Sequence, residues 1–465
     1  MFGFKLPKDF LIGTANSAFQ SEGAWDRDGK SPSIMDTYAE EYAGKYPPGR
    51  QPGAQNFNGR DLANTEDLPD RGCFFYDHYE EYIDDMVKTG QNTYRFSLAW
   101  PRIIPTGVGE VNQKGIDFYN KIINKLLENN ITPFVDLYHW DLPHCLQEEG
   151  GFLNEKFPEW FEAYAKVCFE AFGDRVKMWS TFNEPQVFIG GGLQGGSFPP
   201  FGMDRSEGKL GGLHVLIAHF RAVRLYKSMN QGGKIGAVQC FAPVAPVHMN
   251  EEDLGAVERT IENQLGWWVQ PMLEGTFPQV LMRECPVLAD AMPANYQEAL
   301  DKWFVPMDFI GVNYYTAART EYDPSKILKA KGVRNFFSEP GQQFVPYPPG
   351  IMDVIQYVCD RYHNIDFYIT ENVCALKNIN DKEKECDDPE RITYIREHMR
   401  MIARCIRAGY NVKGYYYWND ADSYEELDGY RLRFGLTWVD HKTGERQWKK
   451  SRYYFSEICK THLVD

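Results

Sequence analysis

Two short stretches decide the fold: Thr181-Phe182-Asn183-Glu184-Pro185 and Tyr368-Ile369-Thr370-Glu371-Asn372. Each is an apolar, β-prone run that stops on a glutamate with an asparagine beside it. The two glutamates are so distant in the chain that neither a hairpin nor a helix can bring them together. Parallel strands that all end on one face of a large barrel would place both carboxyl groups in one cleft.

Two carboxyl groups facing one cleft are what the cleavage of an acetal requires. One carboxylic acid protonates the departing oxygen, and one carboxylate stabilises or attacks the cationic carbon. We expect Glu184, at the end of an apolar strand, to stay protonated. Glu371 must be ionised, and Arg95 with a tyrosine such as Tyr315 can hold it in that state. Taken singly, each glutamate is better explained as a capping or surface residue.

The rest of the chain alternates short β-branched or aromatic runs with amphipathic helical patterns. Candidate strands lie near residues 10–14, 93–99, 132–138, 178–183, 234–240, 309–315, 367–371 and 414–418. Helical patterns, each followed by a residue type that ends helices, run from Tyr79 to Lys88, Ile116 to Leu127, Trp160 to Phe172 and Ile392 to Ile406. This alternation predicts a parallel (β/α)8 TIM barrel. The absence of a glycine-rich turn after the first strand argues against a nucleotide-binding sheet.

Polar and aromatic residues stand where these strands end. They are Gln20, Arg95, Trp100, His139, Trp140, Asn183, Glu184, Asn313, Tyr315, Glu371, Asn372 and Trp418. The loops after the strands build the active site of such a barrel, so this repetition indicates a rim for a polyhydroxylated ligand. A single polar strand end would mean little, because strands of any α/β protein end in polar residues.

The length of 465 residues is compatible with two or three ordinary domains or with one large barrel that has long loops. We favour one barrel domain over residues 1–465, because no break in composition divides the chain. Residues 39–72 and 317–350 are rich in Gly, Pro and polar residues and are expected to be long loops beside the cleft. An aromatic content of 15% suits a cleft that stacks on sugars, although core packing explains most aromatic side chains.

Charge and cysteine content narrow the classes of partner. A net charge of −15 and a pI near 5.3 work against nucleic acid and anionic membranes, which need a basic surface. The ten cysteines form no CxxC pair, so we expect reduced thiols in the cytoplasm. The sequence shows neither a signal-peptide core nor an apolar run long enough to span a membrane. His139, Asp141 and His144 match no common metal spacing, so we expect neither a metal nor a cofactor.

Further strings extend the two motifs over nearly the whole chain. They run from Asp9 to Ala15, Tyr94 to Arg102, His139 to Pro143, Gly266 to Trp268, Asp308 to Thr316 and Arg433 to Leu436. With these strings the chain resembles glycoside hydrolase family 1, the retaining β-glucosidases and β-galactosidases. The resemblance implies Glu184 as acid/base and Glu371 as nucleophile, with carboxyl groups about 5 Å apart.

The resemblance also assigns roles to the other strand-end residues. Arg95 and Tyr315 would attend the nucleophile. The implied substrate-binding residues are Gln20, His139, Asn183, Asn313, Trp418, Glu425 and Glu426. Among them, Asn183 would contact the 2-hydroxyl and Trp418 would form the stacking floor.

Three features depart from the family pattern. Val373 stands where a glycine usually follows the nucleophile motif, and residues 39–72 resemble the family poorly. Glu426 replaces a tryptophan that helps to bind the sugar near its 3-hydroxyl. A carboxylate there replaces a donor with an acceptor, so we hypothesise a preference for a sugar with extra donors, such as an amino sugar. A loop rearrangement that turns Glu426 to solvent is the alternative.

Glu425 argues against the 6-phospho-glycosidase branch, which carries serine at that position and a lysine where this chain has Leu432. A glucuronide is disfavoured because its carboxylate would meet Glu425. The sequence therefore predicts a cytoplasmic, retaining, exo-acting β-glycosidase whose partner is a small soluble glycoside.

Three further hypotheses fit the same sequence: specificity for a galacto-, fuco- or amino-sugar, a catalytically silent sugar-binding protein on the same barrel, and net transglycosylation. Whether subunits assemble into a homo-oligomer stays open.

Overall fold

The computed structural model describes residues 3–37, 72–333, 344–373, 376–377, 382–426, 429–430 and 432–465. At its centre, eight parallel strands form a closed barrel in chain order. They are β1 (Leu11–Asn16), β2 (Thr93–Ser97), β3 (Thr132–Tyr138), β4 (Met178–Asn183), β5 (Lys234–Phe241), β6 (Phe309–Tyr314), β7 (Asp366–Glu371) and β8 (Val412–Trp418). β8 closes onto β1, with Gly414 opposite Leu11. All eight predicted strands and the (β/α)8 fold are confirmed.

Helices cover the outside of the barrel. The main ones are α1 (Phe75–Thr89), α2 (Gln113–Glu128), α3 (Phe157–Phe172), α4 (Arg205–Met229), α5 (Tyr296–Trp303), α6 (Gly350–Arg361), α7 (Pro389–Arg407) and α8 (Lys450–Thr461). The four predicted helices all form, but each begins three or four residues earlier than predicted. In α3 and α7 the added turn contains Pro158 and Pro389, and proline is tolerated in a first turn because its missing N–H has no partner there.

Shorter helices and strands lie outside the eight barrel strands and the main helices. Short helices are Ala18–Ser21, Trp100–Ile103, His144–Glu148, Pro185–Ile189, Glu251–Ile261, Trp267–Glu274, Gln279–Glu284, Pro286–Asp290 and Lys382–Cys386, with a 3-10 turn at Gly151–Leu153 and π-helical turns at Gly190–Gln194 and Glu262–Gly266. Small sheets pair Phe4–Lys5 with Leu463–Val464, Leu376–Lys377 with Leu432–Arg433, and Thr437–Val439 with Arg446–Trp448.

An aromatic cluster fills the barrel interior. The Phe134 ring on β3 lies 5.5 Å from Phe309, 6.0 Å from Tyr368 and 5.5 Å from Tyr416, measured between centroids. These rings come from strands that are not all neighbours, so they meet across the inside of the barrel. These large rings therefore form part of a packed interior, and the polar side chains lie on the strand ends above them.

The prediction of a long loop over residues 317–350 is wrong for its first part. Ala318–Tyr322 and Ala330–Val333 form an antiparallel pair, and Val244–Pro246 adds a third strand in parallel. The alternation of polar and β-branched residues is too weak there to predict strands. Backbone pairing with Val244–Pro246, which is distant in sequence, stabilises them. The loop predicted over residues 39–72 lies outside the described residues, except for Gly72. Within the described ranges, no helix combines the length and the apolar character needed to cross a membrane.

Candidate active site

Glu184 and Glu371 both lie at the carboxyl end of the barrel. Glu371 is the last residue of β7, and Glu184 directly follows β4. Asn313, on β6, links the two regions: its Nδ2 donates to Glu184 Oε1 at 2.7 Å and to Asn183 Oδ1 at 3.0 Å. The barrel therefore brings the two distant sequence motifs into one hydrogen-bonded network.

Glu371 is surrounded by donors. Arg95 Nη1 donates to its Oε1 at 2.7 Å, and the Tyr315 hydroxyl donates to its Oε2. Both the Glu371 and Arg95 side chains are buried. A charge-assisted hydrogen bond from a guanidinium favours the ionised carboxylate, which is the state that a nucleophile needs.

Arg95 forms an ion pair with Asp136 as well. The sequence did not single out Asp136 as a site residue. Asp136 Oδ2 lies 2.6 Å from Arg95 Nη2, and Arg95 Nη2 also donates to Asn183 Oδ1 at 2.7 Å. Ser180 donates a hydrogen bond to the other oxygen of Asp136. A single acidic residue inside the apolar run of β3 was the available signal, because a buried carboxylate needs a cationic partner.

The two glutamates have different electrostatic environments. Burial, together with the charge of Glu371, raises the pKa of Glu184 to about 8. Burial also raises the pKa of Glu371, but Arg95 and Tyr315 oppose that rise. We therefore place the shared proton on Glu184 near neutral pH, because only Glu371 has a guanidinium against its carboxylate.

The backbone at Glu184 is in the left-handed region, with φ 53° and ψ 57°. Glu184 is the N-cap of the helix Pro185–Ile189, and Pro185 occupies the first turn of that helix. Left-handed conformations cost free energy for a residue with a side chain, and they concentrate at functional sites. This turn directs the Glu184 carboxyl group toward Asn313 rather than along the strand.

Other predicted site residues lie around Glu184 and Glu371. His139 Nε2 lies 3.1 Å from Asn183 Nδ2, and the His139 ring stacks on Trp418 with a centroid distance of 5.6 Å. Burial lowers the pKa of His139 well below its usual value, so the ring is neutral. With Nε2 accepting from Asn183, Nδ1 carries the proton, and this buried nitrogen has no hydrogen-bond partner among the described residues.

Gln20 and Glu425 form a second polar pair. Gln20 Nε2 donates to Glu425 Oε2 at 3.2 Å and to the Tyr424 carbonyl at 2.9 Å. An amide and a carboxylate side by side match two vicinal hydroxyl groups.

The next residue, Glu426, is half-buried. Burial raises its pKa to about 8, and the charges of Glu371 and Glu184 add to that rise. This electrostatic interaction with both glutamates disfavours a position turned fully into solvent.

Two tryptophans predicted on the rim, Trp100 and Trp140, have other positions or roles in the structure. Trp100 is fully buried and stacks on Tyr164 at 4.6 Å, so its placement on the rim was wrong. It begins the short helix Trp100–Ile103, whose packing against the helix layer removes the indole from the cleft. Trp140 supports the site through a backbone group: its Nε1 donates to the Asn183 carbonyl at 3.0 Å.

Comparison with known proteins identifies the family. The chain matches the model "Glycosyl hydrolase family 1" over residues 4–464. It is 36% identical over 464 residues to Beta-glucosidase A of Thermotoga maritima, with 99% of each chain covered. The chain belongs to glycosyl hydrolase family 1. This confirms the predicted family.

Other relatives agree with this membership. The family 1 chain is 36% identical over 461 residues to the 1,4-beta-D-glucan glucohydrolase of Thermotoga neapolitana, covering 98% of this chain and 99% of the relative. A solved structure of the family 1 β-glucosidase from Thermotoga maritima, in complex with isofagomine lactam, matches the whole of both chains with a TM-score of 0.90 at 34% identity. The prediction of an O-glycoside hydrolase of the β-glucosidase type is confirmed at this level.

Three remaining expectations concern parts of the family 1 chain near the site. The segment after residue 343 returns to the cleft, since the Phe344 ring stacks on Tyr315 at 4.8 Å. Val373, which departs from the family pattern, is fully buried, and the preceding Asn372 donates to the Tyr314 carbonyl at 2.7 Å. Among the described residues, no group of three or more His, Cys, Asp or Glu side chains is arranged to hold a metal ion.

Proposed function

We propose that the protein is a retaining, exo-acting β-glycosidase that hydrolyses small β-glycosides with a gluco- or galacto-configured sugar at the non-reducing end. The observation that supports this most strongly is the difference between the two buried glutamates. Glu184 accepts from the neutral amide of Asn313, whereas Glu371 accepts from Arg95 and Tyr315. The names of the relatives, Beta-glucosidase A and glucan glucohydrolase, support glucose as the sugar.

In the proposed first step, the Glu371 carboxylate attacks the anomeric carbon while Glu184 gives its proton to the glycosidic oxygen. The bond to the leaving group breaks, and an ester between Glu371 and the sugar forms. Tyr315 and Arg95 would keep Glu371 ionised and oriented until that attack. Asn183, held by Arg95 and Asn313, would present its amide to the 2-hydroxyl, where hydrogen bonding strengthens in the transition state.

In the proposed second step, the Glu184 carboxylate removes a proton from water, and the resulting oxygen attacks the anomeric carbon. The ester to Glu371 breaks, and Glu184 is again protonated. Two inversions give net retention. This course requires carboxyl groups about 5 Å apart, and that separation stays a prediction.

Glu426 supports a second candidate function, in which the enzyme prefers a modified sugar. It stands next to Glu425, which Gln20 holds in place, and it interacts electrostatically with both glutamates. An ammonium group on the sugar would favour the ionised form of Glu426 and donate a charge-assisted hydrogen bond to it, which a hydroxyl group does less strongly. Net transglycosylation would use the same covalent intermediate and depends on the access of water to it. A silent sugar-binding protein is disfavoured, because the chain retains both glutamates.

The test is a β-glucosidase assay on matched Glu→Gln variants. With 4-nitrophenyl β-D-glucoside, Glu371→Gln should lower kcat by about 10⁴-fold, since it removes the nucleophile. Glu184→Gln should lower kcat by about 10²–10⁴-fold for an alkyl glucoside and much less for a 2,4-dinitrophenyl glucoside, which needs little protonation. Glu385→Gln, at a buried glutamate outside the site, is the control.

Two outcomes would reject the proposal. Equal rates for wild type and Glu371→Gln would remove the enzymatic function. Release of the α-anomer as first product, observed by NMR during hydrolysis, would remove the retaining mechanism.

The single catalytic domain over residues 1–465, the cytoplasmic location and any assembly of subunits stay predictions.

A further inference from the structure

A cavity of about 320 Å³ is lined in part by the helix Pro185–Ile189, which directly follows Glu184. The residues that line it include Gln186, Cys240, Lys209, Trp267, Asn263 and Gln264. Its wall combines aromatic surface with a few amide groups and one lysine, which is the composition of a small-molecule site.

This cavity directly adjoins the proposed acid. Gln186 lies in the helix that Glu184 caps, and its Nε2 donates to the Cys240 carbonyl at 2.7 Å. The Cys240 thiol is close enough to Glu184 to interact with it electrostatically. Because the acid protonates the oxygen that joins the sugar to its leaving group, space next to the acid receives the leaving group and not the sugar.

Lys209, on α4, is an unusual wall residue because it is only 5% exposed. Its Nζ lies 3.4 Å from the centroid of the Trp267 ring. No carboxylate of the described residues lies within 4 Å of this ammonium, and no described acceptor hydrogen-bonds it. Burial lowers the pKa of Lys209 to about 7, because an indole face compensates only part of the cost of burying an ammonium. An anion beside Nζ would favour the charged form of this lysine.

A second wall group also lacks a partner. Gln186 Oε1 is buried and has no hydrogen-bond partner among the described residues, while its amide nitrogen is engaged with Cys240. Because this oxygen has almost no accessible surface, it does not face the open cavity, and Lys209 is the wall residue that can carry a positive charge. A ligand with a single negative charge would pair with the ammonium form of Lys209.

We propose that this cavity binds a carboxylate-bearing leaving group, whose anion pairs with Lys209 over the Trp267 ring. A carboxylate suits the site better than a phosphate, because one ammonium balances a single charge and leaves a dianion unpaired. This inference rests on the proposed glycosidase function and specifies the substrate class: β-glycosides of small carboxylic acids, such as hydroxyaryl carboxylates.

The test compares two nearly isosteric substrates, 4-carboxyphenyl and 4-carbamoylphenyl β-D-glucoside. We expect the ratio of their kcat/KM values, acid over amide, to fall about tenfold in Lys209→Met, the order expected for one charge-assisted hydrogen bond. Lys209→Arg, which keeps the charge, should retain most of the ratio. Comparing each substrate between proteins cancels the intrinsic reactivity of its phenol.

The inference is overturned if Lys209→Met leaves this ratio unchanged, since a merely structural lysine would affect both substrates alike. Calorimetric binding of 4-hydroxybenzoate against 4-hydroxybenzamide provides a second measurement that needs no turnover. If wild type hydrolyses neither glucoside, the proposed function fails, and the calorimetric comparison still decides the inference. Tighter binding of the acid, lost in Lys209→Met, supports it, and equal binding of acid and amide rejects it.

Discussion

Asp136 lies 2.6 Å from Arg95, and neither side chain is exposed to solvent. Arg95 in turn contacts Glu371 and Asn183, so one buried carboxylate orients the cation that serves the whole site. Burial raises the pKa of Asp136 to about 7 although Arg95 opposes that rise, which shows how much the apolar surroundings disfavour its charge. Asp136 is a positioning residue rather than a catalytic one, because it acts through Arg95.

The first prediction concerns this ion pair. Asp136→Asn should lower kcat/KM about tenfold, the size of effect typical when a supporting partner is removed. The free energy of unfolding should fall by about 3 kcal/mol, because a buried guanidinium loses one of its two carboxylate partners. Steady-state kinetics and urea unfolding measure the two effects. Asp366→Asn, at the opposite end of a barrel strand and paired with exposed Lys234, is the control. Equal losses in both variants would contradict the positioning role.

The second prediction concerns the pH dependence of activity. An acid catalyst must be protonated, so kcat/KM should decline as pH rises through about 8, the pKa to which burial raises Glu184. For a 2,4-dinitrophenyl glucoside this alkaline limb should weaken, because its leaving group departs without a proton. Profiles for both substrates between pH 5 and 10 check this. An equally steep limb for both would assign the decline to another group.

The third prediction concerns stability. A raised native pKa means that the folded protein holds the Glu184 proton more tightly than the unfolded chain does. The corresponding stability is complete below the usual glutamate pKa and is lost as pH rises toward about 8. Glu184→Gln stays neutral, so its melting temperature relative to wild type should increase over that interval. Thermal melts at pH 4.5, 6 and 8 measure the difference. A difference that does not vary with pH would show that Glu184 titrates normally.

The fourth prediction concerns Glu426. If its carboxyl group contacts the sugar, wild type should prefer a 3-amino-3-deoxy-glucoside over the matching glucoside, and Glu426→Trp should reverse that order. A panel of nitrophenyl glycosides that differ only at positions 3 and 4 gives the measurement. An order of preference that is the same in both proteins would show that Glu426 does not select the sugar.

Much of this protein follows from local patterns in its sequence. The eight strands, the helices between them and the two glutamates at strand ends are determined by short-range periodicity and by turn residues, which act within a few positions of the chain. The pairing of Arg95 with Glu371 also follows from chemistry, because a strand-end carboxylate and a strand-end guanidinium share one rim.

Only the tertiary structure decided the rest. Asp136 behind Arg95, the strand Val244–Pro246 beside Ala318–Tyr322, and Lys209 over Trp267 all join segments that are distant in sequence. The left-handed turn at Glu184 is a further feature that the strand pattern did not predict. The energy of each contact depends on burial and on which groups share a low-dielectric environment, and these conditions exist only after the barrel has closed.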